Sequence, residues 1–241
     1  MAAAPPAILV TGASAGIGAA LSRQLLADHG CRVFLACRSL ERGRAALAAM
    51  ALPADAFGRA ELVACDTSSD ESVAGAAAAV RAALAGGLLD AIVNNAGVGL
   101  ATLVDAASTD AMLNINLRGP MRVSSAFLPL LKPAGGRVVN VGSGSGPTYV
   151  RALIEGGGQA AAKALMEPES EAAVLAHAAA HLGSAASEKA YKGYGLSKAC
   201  LTAYTQVFAR EHPALVVLCC SPGFIATKLT AGFGVSAAGG A

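Results

Sequence analysis

Short apolar runs recur along this chain at residues 7–10, 32–37, 61–64, 91–93, 137–141 and 215–219, and few polar positions mark an exposed face on any of them. A strand without a polar face is covered on both sides. Between the runs lie segments that read as helices, at 16–29, 40–50, 70–84, 109–131 and 191–210. Strand and helix in alternation predict a doubly wound α/β fold: a parallel sheet with helices on both faces and right-handed crossovers. At 241 residues one core suffices, so the whole chain, 1–241, is expected to form a single domain.

One stretch departs from this rhythm. Residues 144–190 run through a glycine-rich loop containing Gly156-Gly157-Gly158, then an Ala-rich helical stretch at 159–181 that Glu167-Pro168-Glu169 interrupts. An insertion here follows the fifth strand at the carboxyl ends of the strands, where ligands bind in open α/β sheets, and can wall a substrate site. The alternative is a surface elaboration without ligand contact. His177 and His181 are four apart and could share a metal, but position 178 is Ala and no Cys or carboxylate completes a ligand set. Both are expected to be solvated helix residues, and no metal is expected.

Composition excludes several classes of function. Hydrophobic residues make up 54% of the chain, yet the longest apolar runs are strand-sized, so no segment is expected to span a bilayer. The net charge of +2 is too small and too scattered for nucleic acid or an anionic membrane to be the main partner. Six Cys (Cys31, Cys37, Cys65, Cys200, Cys219 and Cys220), mostly on expected strands and without a CxxC pair, read as reduced core thiols of a cytoplasmic protein. The apolar N-terminus lacks the basic region of a secretory signal.

Chemistry concentrates in two places. Directly after the first strand, Thr11-Gly12-Ala13-Ser14-Ala15-Gly16-Ile17-Gly18 leads into a helix. The small residues let the backbone turn sharply and bring a pyrophosphate to the amides of a helix N-terminus. The second strand ends at Cys37, nineteen residues beyond Gly18, about where an NAD-binding protein places an acidic residue for the ribose 2′-hydroxyl. Here Arg38 follows, with Arg42 one turn on. Guanidinium groups suit a 2′-phosphate, so NADP(H) is favoured over NAD. Further along, Tyr194 and Lys198 lie one helical turn apart on one face. A cation beside a phenol of ordinary pKa about 10 favours the phenolate and makes a tunable proton donor.

Gly12 to Gly18, Asn94-Asn95-Ala96-Gly97 and Tyr194-Gly195-Leu196-Ser197-Lys198 stand in the order and context of the short-chain dehydrogenase/reductase family, and residues 7–229 resemble it. Within that family the chain looks most like the NADPH-dependent carbonyl reductases, on Cys37-Arg38 with Arg42-Gly43, on Gly136-Arg137-Val138-Val139-Asn140-Val141, and on the long segment before the Tyr. The resemblance implies reduction of a small-molecule ketone or aldehyde to an alcohol. Tyr194 would give a proton to the carbonyl oxygen as hydride arrives. Lys198 would bind the nicotinamide ribose and lower the Tyr pKa, Ser143 would stabilise charge on the substrate oxygen, and Asn116 would anchor a water of the proton relay. Ser145, Asn114 and Tyr191 are the neighbouring rivals for these roles.

Cofactor contacts carry over in the same way. Ser14, Ala15 and Ile17 would join Gly12, Gly16 and Gly18 at the pyrophosphate, Asp66 and Thr67 would meet the adenine, and Asn94, Ala96 and Gly97 would line the adenosine side. Pro222, Gly223, Ile225 and Thr227 match the segment that meets the nicotinamide carboxamide. The insertion resembles that of monomeric carbonyl reductases, which implies a monomer. Family members continue into a seventh strand, whereas this sequence runs 18 residues beyond Gly223, so six strands are expected, with either a truncated product or an open sheet edge. That departure keeps a second function in view, a catalytically silent NADP-binding sensor or interaction module.

Overall fold

Leu9, Val10, Val33, Phe34, Leu35 and Ile92 are completely buried, and the strands that carry them occupy the middle of a six-stranded sheet. The computed structural model describes residues 4–99, 106–189, 193–223 and 225. Its strands are β1 (Ala7–Thr11), β2 (Arg32–Cys37), β3 (Ala60–Ala64), β4 (Ala91–Asn94), β5 (Arg137–Val141) and β6 (Val216–Cys220), in the order β3-β2-β1-β4-β5-β6. β1 pairs in parallel with β2 (Ala7 opposite Arg32) and with β4 (Ile8 opposite Ala91), and β2 pairs in parallel with β3. The doubly wound α/β expectation holds, with six strands among the described residues; residues 226–241, where a seventh would fall, lie outside them.

By packing, the chain forms two compact units, interleaved in sequence. The first holds residues 1–96, 122–139 and 214–216. Its helices are α1 (Gly16–Ala27), α2 (Leu40–Ala49), the single turn α3 (Ala54–Phe57) and α4 (Asp70–Leu84). Ser39 and Ser69 cap α2 and α4, each accepting a backbone N–H through its hydroxyl, and Glu41, Asp70 and Glu71 place negative charge in the first turns. Both devices satisfy amides that have no partner within the helix. Val73, Ala76, Ala77, Val80 and Leu84 form the buried stripe of α4 at helical spacing.

The second unit holds residues 97–121, 140–213 and 217–241. Its centre is the helix α11 (Tyr194–Glu211), of whose 18 residues twelve are buried; a helix covered nearly all round is a core element. Around it lie α5 (Ala106–Leu113), α7 (Ser145–Glu155), α8 (Gln159–Met166), α9 (Glu171–Ala180) and α10 (Ala185–Lys189). The helix α6 (Gly119–Phe127) starts in this unit and ends in the first. The break expected at Glu167-Pro168-Glu169 separates α8 from α9, and Ser170 caps α9.

Three expectations need correction. The glycine-rich stretch after β5 is not a loop, because α7 occupies most of it. A Cβ at Gly146 would come within 3.1 Å of the Ala199 backbone, so this glycine serves close approach of α7 to α11. The helix expected at 109–131 is broken: α5 gives way to a π-helical turn at Asn114–Arg118, then α6, then a 3-10 turn at Leu128–Leu130. His177 is not solvated. It lies beneath α7 with its Nε2 3.2 Å from the Tyr149 hydroxyl and its ring stacked 4.0 Å from that of His181. Burial pushes its imidazole down to about 4. Of the six free thiols, those of Cys31, Cys37, Cys65 and Cys200 are buried, whereas Cys220 on the edge strand β6 is exposed.

Candidate active site

In the first unit, β1 and β4 are neighbours although β2 and β3 intervene in sequence, so the strand order reverses between them. Ligands bind at such switch points, outside the carboxyl ends of the strands. β1 delivers Gly12, with φ +66°, and Gly16 follows with φ +52°, both in the left-handed region. A Cβ at Gly18 would fall 2.4 Å from Asn95 Nδ2 and 2.5 Å from the Gly12 carbonyl oxygen, so the turn closes only without side chains there.

Thr11 and Asn95 hold this turn. The Thr11 hydroxyl accepts the backbone N–H groups of Asn95 and Ala96, each at 3.0 Å. Asn95 Nδ2 donates to the Thr11 carbonyl at 2.9 Å. Asn94, by contrast, is buried and donates to the Ser124 hydroxyl, so its side chain supports the sheet. The signal in sequence was the doubled Asn, only one of which can face the turn from a strand end.

The start of α1 is open. Its N-cap is Ala15, no side chain caps it, and its first turn has no acidic residue. The same chain caps α2, α4 and α9 with Ser and gives each an acidic residue in the first turn. An uncapped first turn presents free amides and the positive end of the helix dipole to an anion. Ala15 and Gly16 are exposed at its rim, while the Ser14 hydroxyl is engaged with the Cys37 thiol.

Arg38 and Arg42 are exposed and form no ion pair among the described residues. Ser68 donates both its hydroxyl (2.6 Å) and its backbone N–H (3.0 Å) to Asp66, and these bonds, helped by the charge of Arg38, hold the carboxyl below its ordinary value. Thr67 next to it is buried. The open helix end, the side-chain-free turn and two unpaired guanidinium groups fit a phosphate-bearing dinucleotide.

The second unit holds Ser143, Tyr194, Lys198 and Asn116. Ser143 lies two residues beyond the end of β5 and accepts the backbone N–H of Ser145, the first residue of α7, at 3.2 Å. Gly193, with φ +89°, starts α11 hard against Thr109, where any Cβ would lie 2.3 Å from the Thr109 methyl. Tyr194 is therefore the first helical residue, and the Ser143 hydroxyl near its phenol favours the phenolate. One turn on, Lys198 is 6% exposed; its Nζ donates to the Val141 carbonyl at 2.8 Å and stands 5.8 Å from the centre of the Tyr194 ring.

Burial dominates both groups. It pushes the Tyr194 phenol above its ordinary value, with the Ser143 bond opposing, and it lowers Lys198 to about 8, with the Cys219 thiol opposing. The expected lowering of the phenol is overturned: burial, opposed by Ser143, raises it.

Asn116 sits in the π-helical turn and is completely buried. Its Oδ1 accepts the Val98 N–H, and its Nδ2 donates to the Val98 carbonyl and, at 3.1 Å, to Ser197 Oγ. The side chain is thus committed, and Pro120, four residues on, has no N–H to give the Asn116 carbonyl. π-Turns of this kind occur often at functional sites. Gly97, Pro222, Gly223 and Ile225 are exposed, whereas Thr227 and the rival Tyr191 lie outside the described residues.

A family profile described as short chain dehydrogenase matches residues 6–167. The (+)-neomenthol dehydrogenase of Arabidopsis thaliana is 31% identical over 265 aligned positions, covering 96% of this chain and 86% of that protein. Human retinol dehydrogenase 16 is 38% identical over 160, covering 65% of this chain, which thus spans only 47% of that relative's length. Among solved structures, menthone neomenthol reductase from Mentha piperita superposes with a TM-score of 0.77 at 25% identity, over 91% of this chain and 90% of that one. The chain therefore belongs to the short-chain dehydrogenase/reductase family of NAD(P)(H)-using oxidoreductases.

Proposed function

We propose that the chain reduces ketone or aldehyde carbonyls to alcohols with NADPH. One observation carries this reading: Lys198 Nζ stands 5.8 Å from the centre of the Tyr194 ring, and the nearby Ser143 hydroxyl favours the phenolate. The bound dinucleotide supplies hydride from its nicotinamide ring. Ser143 donates a hydrogen bond to the substrate oxygen and stabilises the negative charge that develops there. Tyr194, kept protonated at neutral pH by burial, gives its proton to that oxygen. Lys198 holds the nicotinamide ribose, and the Asn116 carbonyl holds the water through which the phenol regains its proton.

Open amides at Ala15 to Ile17 support a pyrophosphate role for the start of α1, and the unpaired Arg38 and Arg42 support a 2′-phosphate. Likeness to a menthone neomenthol reductase supports the reductive direction. The partner in this reading is a small-molecule carbonyl compound, with no nucleic acid and no membrane, and the protein acts as a cytoplasmic monomer. Among the described residues no helix is long and apolar enough to cross a membrane. Size-exclusion chromatography tests the monomer.

The activity is tested by following NADPH and NADH consumption in parallel across a panel of aromatic aldehydes, quinones and cyclic ketones. Tyr194→Phe is expected to lower turnover by at least about a hundredfold while NADPH binding persists. Arg38→Asp is expected to shift preference toward NADH. A folded protein that consumes no NADPH with any member of the panel defeats the proposal.

A further inference from the structure

The catalytic residues of the second unit are joined by a side chain to which no step above gives a task. Ser197 is completely buried inside the Tyr194 to Lys198 turn. Its hydroxyl donates to the Tyr194 carbonyl at 2.8 Å and accepts from Asn116 Nδ2 at 3.1 Å. The same Tyr194 carbonyl receives the Lys198 N–H in the helix ladder. Asn116 is fixed in turn by the Val98 backbone through both ends of its amide. A serine that bonds back to a carbonyl three residues earlier perturbs the helix it sits in. Here that bond falls in the first turn of α11, the turn that aims the phenol.

Resting on the proposed roles of Tyr194 and Asn116, we propose that Ser197 is a positioning residue for proton transfer: its hydroxyl ties the π-helical turn that carries Asn116 to the carbonyl of Tyr194, and thereby sets the phenol against Ser143 and Lys198. A hydroxyl is required at this position because the link needs one donor and one acceptor on the same atom. Alanine leaves Asn116 Nδ2 short of a buried partner and releases the first turn. Threonine keeps both bonds.

The test uses the full chain. In Ser197→Ala, kcat for carbonyl reduction is expected to fall roughly tenfold or more, with KM for NADPH within about twofold of wild type, as misplacement of a catalytic group does. Ser197→Thr is expected to restore kcat. A second readout does not depend on turnover. The Tyr194 phenol, followed as the ultraviolet difference between each protein and its Tyr194→Phe counterpart, should titrate at a displaced pH in the alanine variant and at the wild-type pH in the threonine variant. If wild type consumes no NADPH, the proposed function fails and the phenol titration still decides the role of Ser197. If the alanine variant does not fold, Ser197→Cys, a weaker donor of nearly the same size, takes its place in both assays. A folded variant with unchanged kcat and unchanged phenol titration, or one that loses only thermal stability, overturns the inference.

Discussion

Two stretches of this chain are rich in glycine, and they use it for opposite reasons. At Gly12 to Gly18 the backbone is crowded: a Cβ on Gly12 would lie 2.9 Å from the Ala96 Cα, and one on Gly18 would meet both Asn95 and the Gly12 carbonyl. At Gly157 there is room, since a Cβ there would meet nothing within 4 Å; at Gly156 and Gly158 the nearest atoms it would meet are carbonyls of the preceding helical turn, at 3.3 and 3.1 Å. The first stretch is glycine because something must approach it. The second is glycine because α7 ends there, with Gly157 in the left-handed conformation at φ +82°. Glycine content therefore marks a ligand site only where close approach removes the side chain, and the two regions should fail differently when altered.

The sharpest way to break this contrast is Gly18→Ala. Its methyl must displace backbone as well as the Asn95 amide, so a loss of about 3 kcal/mol is expected, together with at least roughly tenfold weaker NADPH binding. Urea unfolding and fluorescence titration measure the two, and an alanine variant that binds NADPH normally would end the close-approach argument.

Acid should separate the regions next. His177 titrates at about 4 in the folded protein against an ordinary 6.5, so between those values the unfolded chain binds more protons. Stability therefore rises with pH across that window; on acidification the loss begins near 6.5 and is complete near 4. By pH 5 it should reach about 2 kcal/mol. Urea unfolding at pH 7 and pH 5 is expected to show this loss in wild type and to lack it in His177→Gln, while the glycine turn of α1, which has no such group, keeps its NADPH affinity. The smallest effect belongs to Gly157→Ala, where only the positive φ is strained. It should cost about 1 kcal/mol and leave NADPH affinity unchanged.

Reading these regions from the sequence succeeded where local chemistry and tertiary demand coincide. β1, β2 and β4 were legible because they are buried on both faces and therefore apolar, β3, β5 and β6 by their short apolar runs although each is partly exposed, and the turn from Thr11 to Gly18 because its position between strand and helix gives the glycines a purpose. α7 was hidden because Gly146 looks like a loop residue, and only its distance to Ala199 shows that it is a helix contact. The π-helical turn left a trace in Pro120, whose missing N–H bars an ordinary ladder at Asn116. His177 left none: an Ala-rich helix has no polar face to show which way an imidazole points. The direction at Tyr194 was equally illegible, since the spacing to Lys198 says nothing of the burial that raises the phenol.

The open start of α1 has a consequence for the life of the protein rather than for its chemistry. A helix whose first amides wait for an anion is more stable once the anion arrives, so saturation and folding become a single equilibrium. A ligand present at a hundredfold excess over its dissociation constant adds about 2.7 kcal/mol to a folded state of this kind. Any fold linked to its ligand in this way resists proteolysis better the more of that ligand is at hand.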